Sequence, residues 1–216
     1  IPIRNYTTNV WPENNKYVPE YMREHFKSKP SACWACTHAH CRIMEVTEGQ
    51  YTGFVGEEPE YEGTAEMGPL IGMTEPGDTV YLCNMVDRLG FDVNESGYMI
   101  AWLMECYEKG YLTKDDLDGV EMKWGDSVAV DTMLKKIANR EGCGDLFADG
   151  TKRSAERVGG EALKCCVYTM KGATPRGHDH RGHWSEFIDT CLSNTGTVET
   201  GGHLFTPPNL GLERLK

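Results

Sequence analysis

Apolar residues recur at helical spacing through the middle of the chain. After Pro76, the run Gly77-Asp78-Thr79 can cap a helix whose apolar side is Val80, Cys83, Met85, Val86 and Leu89. Gly90 is placed to stop it. Asp92-Val93-Asn94-Glu95-Ser96-Gly97 then leads into a longer helix over Tyr98–Lys109. Met99, Ile100, Leu103, Met104 and Tyr107 give that helix a wide apolar face, and Gly110 ends it. Thr113–Leu117 starts another turn. Ser127–Arg140 reads as an amphipathic helix with Val128, Val130, Met133, Leu134 and Ile137 inward and Gly142 as its stop. A further helix covers Asp145–Val158.

The flanks are less regular. Residues 1–31 are polar, carry Pro2, Pro12, Pro19 and Pro30, and predict one short helix near Glu20–Lys27. Arg42–Val46 is strand-like. Gly56-Glu57-Glu58-Pro59-Glu60-Tyr61-Glu62-Gly63 reads by composition as a solvated acidic loop. Residues 159–216 are irregular and rich in Gly, His and Pro. The fold class is therefore mainly α: a helical domain over 1–158, then the start of a second, loop-rich helical domain over 159–216. There is no repeat, no P-loop and no Gly-x-Ser-x-Gly elbow.

Composition narrows the function. The 216 residues carry a net charge of −11, which argues against a nucleic-acid surface. No apolar run is long enough to span a membrane. Nine cysteines, an odd number with several isolated, make a poor disulfide framework and suit a reducing cytoplasm. The chain starts Ile1-Pro2-Ile3 without Met and reads as a fragment of a longer polypeptide.

The cysteine pattern carries the chemistry. Cys33-Trp34-Ala35-Cys36-Thr37-His38-Ala39-His40-Cys41 holds three thiols and two imidazoles in nine residues. Cys-x-x-Cys turns two sulfurs toward one point, and Cys41 can reach it, one short of the four thiolates of a cubane cluster. A zinc site on Cys33, Cys36 and His or Cys partners is the competing reading, although no second zinc pair follows. A thioredoxin-like pair lacks its βαβ context. His178, His180 and His183 around Asp179 can also bind zinc or iron, but a solvated loop is the plainer reading.

Four segments in order resemble the tungsten-containing aldehyde ferredoxin oxidoreductase family. They are the cysteines at 33–41, Pro59-Glu60-Tyr61-Glu62, and Asp87-Arg88-Leu89-Gly90-Phe91-Asp92. The fourth is Arg140-Glu141-Gly142-Cys143-Gly144-Asp145, with the later Asp179-His180-Arg181-Gly182. The resemblance implies the helical middle and C-terminal domains of such a protein, without its N-terminal β-rich domain. It implies a [4Fe–4S] cluster held by Cys33, Cys36 and Cys41, and a tungsten (or molybdenum) bis-pterin. Asp87 and Asp92 would bind pterin amino groups in one shared cavity, Gly90 would let the backbone come close, and Arg181 would lie near the cofactor or a domain interface. Glu62 would be the acid/base residue beside the metal, its pKa raised toward neutrality, and His203 the active-site histidine.

The implied reaction is aldehyde oxidation to carboxylic acid, with ferredoxin or another electron-transfer subunit as acceptor. The chain would act as a homo-oligomer or in complex with the rest of the polypeptide. The alternatives are a benzoyl-CoA-type reductase acting on an acyl-CoA, and a non-catalytic zinc or electron-transfer module. In the family three residues separate the second and third cysteines, a slot where this chain has His40, so the third ligand is Cys41 or His40. The family's fourth cluster cysteine lies beyond the chain's end. Asp92 also has a plainer reading as a helix cap, with Asp87 as a surface residue.

Overall fold

The computed structural model describes residues 1–38, 40–178 and 184–193. Its helices are α1 (Pro19–His25), α2 (Tyr61–Glu66), α3 (Pro76–Leu89), α4 (Val93–Glu108), α5 (Ser127–Asn139), α6 (Gly144–Phe147), α7 (Thr151–Val158), α8 (Gly160–Lys164) and α9 (Trp184–Leu192). An antiparallel sheet of β1 (Lys27–Pro30), β2 (Arg42–Glu45) and β3 (Val55–Glu57), in that order, lies before α2. Among the described residues no helix is long and apolar enough to cross a membrane.

The central helix is α4. Tyr98, Ile100, Ala101, Trp102, Leu103 and Met104 are all fully buried, so almost every side of it is covered. Asp92 caps its start, accepting the Glu95 amide at 2.8 Å. Helix α3 begins with Pro76 at its first turn and ends at Gly90, whose φ of +76° is the left-handed conformation a helix stop needs. The Gly90 and Phe91 amides close back on the carbonyls of Asp87 and Val86 at 3.0 and 3.1 Å. Met67, Leu70, Leu82, Met133 and Phe147 join α4 in one core. That core also takes in Ala162 and Cys165, and the Trp102 indole donates to the Ala162 carbonyl at 2.8 Å. A smaller cluster of Tyr17, Met22, Phe26, Met44, Val46 and Val80 seats α1 and the sheet on α3.

Three expectations are corrected. The helix expected over Asp145–Val158 is two helices, because Gly150 between them takes φ +98°. Val128 is 54% exposed, and Ala129 and Val130 are the residues α5 buries there. The acidic stretch is not one loop: Glu57 ends β3, and Glu62 lies in the first turn of α2.

Helices α2 and α4 meet at Gly97. A Cβ there would sit 2.6 Å from the Cβ of Glu66. Helix propensity favours alanine over glycine by about 0.5–1 kcal/mol, but overpacking at fixed backbone costs about 1–3 kcal/mol. Gly97→Ala is therefore expected to lower the thermal midpoint, measured calorimetrically. A raised midpoint would show that the two helices separate freely.

Candidate functional site

The three cysteines sit on the hairpin connection between β1 and β2. Pro30 pairs with Arg42, and the Ser31 amide donates to the Cys41 carbonyl at 2.9 Å, so the 31–41 loop is closed at its base. Within it the Cys36 amide donates to the Cys33 carbonyl at 3.0 Å, and Ala35 takes φ +57°. The Cys-x-x-Cys is thus a tight turn. Cys36 Sγ accepts the His38 amide at 3.4 Å, the kind of bond that stabilises a thiolate. All the thiols are free, and Cys33 and Cys36 are exposed.

Cys41 faces a different set of groups. Its Sγ lies 3.3 Å from His40 Nε2 and 3.5 Å from Glu60 Oε1, and His40 Nε2 is 3.2 Å from the same Glu60 oxygen. Desolvation, the Glu60 carboxylate and the neighbouring Cys33 thiol push the Cys41 thiol up to about 11. A metal binding there must displace its proton. His40 and Cys41 present their ligand atoms to one spot.

Beyond Cys41 opens a cavity of about 310 Å³, lined by Cys41, Glu60, Glu62, Asn84, Asp87 and Arg176 among others. Its floor is fixed by Asn84, whose amide donates to the Glu57 carbonyl at 3.0 Å and whose oxygen accepts the Glu57 amide at 2.9 Å. That bracket ends β3 and aims Pro59 and Glu60 into the start of α2. Asp87 forms another wall, exposed near the C-terminal end of α3.

Glu62 departs from expectation. His178, with Nε2 at 3.7 Å, and Arg176, with Nη1 at 2.9 Å, hold its carboxyl down to about 2, overcoming the desolvation that pushes it up. The residue is an anion across the physiological range. Its share of stability is complete above about pH 4.5 and is lost as pH falls toward 2.

Residues 176–178 form a strap across α2. Tyr61 Oη donates to the Gly177 carbonyl at 3.1 Å, the Tyr61 and His178 rings meet edge to face, and Tyr6 Oη donates to the His178 carbonyl at 2.6 Å. Sequence reasoning missed Arg176 and grouped His178 with a solvated histidine loop. The signal available was Thr174-Pro175, which favours extended chain ahead of Arg176.

The placement of the other candidates is mixed. Asp92 is not among the residues lining the cavity with Asp87, since its carboxyl caps α4, so the expected shared cavity holds one of the two aspartates. A Cβ on Gly90 would meet nothing within 4 Å, so its role within this chain is to end α3. Arg181 and His203 lie outside the described residues.

The donors present fit the groups the resemblance implies. Free thiols on one closed loop, one already accepting an N–H···S bond, suit an iron–sulfur cluster. A cavity walled by the exposed carboxylate of Asp87 offers acceptors to the amino groups of a pterin.

The family model of aldehyde ferredoxin oxidoreductase, domains 2 and 3, matches residues 1–213. A Pyrococcus furiosus aliphatic sulfonate oxidoreductase, WOR-like subunit, is 32% identical over 95% of this chain and 33% of its own length. The tungsten-containing aldehyde ferredoxin oxidoreductases of Pyrococcus furiosus and Thermococcus kodakarensis are each 29% identical over 97% of this chain and 34% of their own lengths. The chain thus spans about a third of the curated relatives it matches. Among solved structures, the active-site complex BamBC of benzoyl coenzyme A reductase superposes with a TM-score of 0.70, covering 91% of this chain and 29% of that one. At 17% identity this likeness speaks for the fold alone. With the family model matched along nearly its whole length, the chain belongs to the aldehyde ferredoxin oxidoreductase family.

Proposed function

We propose that this chain is the part of a tungstopterin iron–sulfur oxidoreductase that oxidises aldehydes to carboxylic acids and passes electrons to ferredoxin or another electron-transfer subunit. The observation that carries the reading is the single cavity around which Cys41, Glu62, Asp87 and Arg176 converge. On this reading Cys41 would be a cluster donor and Asp87 a pterin-binding acceptor, on one space with the anchored anion Glu62. Cys33, Cys36 and Cys41 would hold a [4Fe–4S] cluster. Asp87 would hold a pterin, Asp92 would do so through the oxygen its capping bond leaves over, and Gly90 and Arg181 would lie alongside. A bound tungsten or molybdenum bis-pterin supplies the two-electron chemistry at the carbonyl, and the cluster carries electrons away singly.

The chain's own residues do the rest. Glu62, ionised and fixed by Arg176 and His178, orients the reacting group as a hydrogen-bond acceptor and a fixed negative charge. His203 would donate to the developing oxyanion. Assembly with other subunits is part of the proposal; it is supported by the relative described as a WOR-like subunit.

A second reading has one observation behind it. His40, Cys41 and Glu60 offer nitrogen, sulfur and oxygen donors within 4.8 Å of one another, a set that zinc takes. Metal analysis of the full-length protein purified without oxygen decides between them. Tungsten with iron, and viologen reduction by aldehydes rather than aryl-CoA esters, is the expected result. Zinc alone, without tungsten, would overturn the redox reading.

A further inference from the structure

His40 occupies the slot where the family has its third cysteine, and it touches the sulfur one residue on. His40 Nε2 lies 3.3 Å from Cys41 Sγ and 3.2 Å from Glu60 Oε1, and Cys41 Sγ lies 3.5 Å from that same oxygen. The three atoms close a triangle. Glu60 is held there by its backbone. It is the N-cap of α2, its carbonyl accepts the Thr64 amide at 2.9 Å, and its side chain makes no capping bond to the helix. Two residues earlier, the Arg23 guanidinium grips the Glu58 carboxylate at 2.8 and 3.1 Å, and the Glu58 amide donates to the Arg42 carbonyl at 2.8 Å. The start of α2 therefore has a fixed place beside the hairpin. The Glu60 carboxylate goes to His40 and Cys41 rather than to its own helix.

The protons in the triangle can be counted. A carboxylate offers only lone pairs, so the hydrogen between Nε2 and Glu60 Oε1 belongs to the imidazole. Without metal, the Cys41 thiol also donates to Glu60. A thiolate bound to iron has no proton left to give and becomes an acceptor. The His40 Nε2–H is then the one donor among these three side chains, facing an oxygen at 3.2 Å and a sulfur at 3.3 Å. Cys41 and Glu60 line both the larger cavity and a smaller one of about 210 Å³ beside α1, whereas His40 lines the smaller.

We propose that His40 is not a cluster ligand but the hydrogen-bond donor to the ligand sulfur of Cys41, and that Glu60 competes for that hydrogen. Together the two side chains set the potential at which the cluster takes up its electron. The inference rests on the oxidoreductase reading. A cluster that accepts one electron carries more negative charge on its sulfurs. A hydrogen bond to a ligand sulfur is stronger in that reduced state and raises the potential. A carboxylate beside the sulfur opposes the added charge and lowers it. One electron enters and the same electron leaves; Nε2 keeps its hydrogen throughout, so no proton crosses.

The test is potentiometry of the full-length protein purified without oxygen, read by EPR of the reduced cluster. His40→Leu removes the donor and is expected to shift the midpoint to more negative potential. His40→Gln puts an amide N–H near the position of Nε2 and is expected to stay close to the parent. Glu60→Gln removes the negative charge and is expected to shift the midpoint to more positive potential. Tungsten content is expected to hold in both His40 variants, because His40 is not among the residues lining the larger cavity. A parent labelled with ¹⁵N in its histidine rings is expected to show a weak nitrogen coupling to the reduced cluster that His40→Gln loses. A strong coupling, that of an imidazole bound to iron, would make His40 the ligand and overturn the proposal. A midpoint unmoved in His40→Leu, or lowered as far in His40→Gln, would overturn it too. Should His40→Leu lose its cluster, the labelled parent and Glu60→Gln still decide: no coupling, or no positive shift, overturns the proposal. Zinc in place of iron would sink the oxidoreductase reading and this inference with it. An iron cluster indifferent to His40 would sink the inference and leave that reading standing.

Discussion

Glu62→Gln is expected to lower aldehyde turnover of the full-length enzyme by roughly 10²–10³-fold, the usual cost of losing one preorganised electrostatic contact. Glutamine keeps the size of the side chain but removes the charge that Arg176 Nη1 meets at 2.9 Å. Both the acceptor and the anchor of the strap go at once. Tungsten and iron contents should not change, because neither the 31–41 loop nor Asp87 depends on Glu62. Since the Glu62 carboxyl is held down to about 2, the parent's rate should show no acid limb from this residue between pH 5 and 8. Glu57 is a poor control, since it lines the same cavity. Glu45, paired with Lys27 at 2.9 Å on the sheet, serves better. If Glu62→Gln turns over like the parent, Glu62 only fixes the strap, and the catalytic assignment moves to His203 or a residue outside this chain.

Cys36→Ser is expected to abolish the broad visible absorption and the reduced-state EPR signal of the cluster in the full-length protein. A serine oxygen is a harder, poorer ligand for iron than a thiolate. The change also removes the sulfur that accepts the His38 amide at 3.4 Å, so the turn that aims Cys33 and Cys36 loses one of its fixings. Cys191→Ser, on the exposed side of α9, is the control and should leave both signals intact. Full iron content in Cys36→Ser would remove the cysteine loop from the cluster and return the zinc reading to first place.

The helices were legible wherever an apolar face ran ten residues or more into a glycine. Helices α3 and α5 fall where the period places them, while α4 starts at Val93, five residues before the expected Tyr98, because Asp92 caps it there. The break in Asp145–Val158 was not legible, because Arg and Lys on α7 continue the polar face across Gly150. Of the sheet, β2 was legible as the strand-like Arg42–Val46, and β1 and β3 were missed for a different reason. Its strands are three or four residues long, and Lys27-Ser28-Lys29-Pro30 shows no apolar alternation. In the site, the cysteine cluster announced itself by spacing and Asp87 by the motif around Gly90. Arg176 and His178 did not, since nothing local says that a strap more than 110 residues downstream will land on Glu62. Glu66 left a faint trace: two glutamates four apart, separated by Gly63, Thr64 and Ala65, small enough to let α2 pack closely. Its burial comes from Gly97 and Gly177 and is invisible along the chain.

The bond from Tyr6 to the His178 carbonyl spans 172 residues, and it sets an order of events during synthesis. The hairpin bearing Cys33, Cys36 and Cys41 closes over fifteen residues or so and can form as soon as it leaves the ribosome. The opposite wall does not exist until residue 178 has emerged. Until then Glu62 lacks its Arg176 and His178 partners, and Glu66, already packed on Gly97 of α4, lacks the cover of Gly177. A nascent chain therefore presents its thiols to incoming metal while Glu62 still faces solvent. On the proposed reading, the thiols of the hairpin stand ready for iron before Glu62 gains its counter-ions from Arg176 and His178.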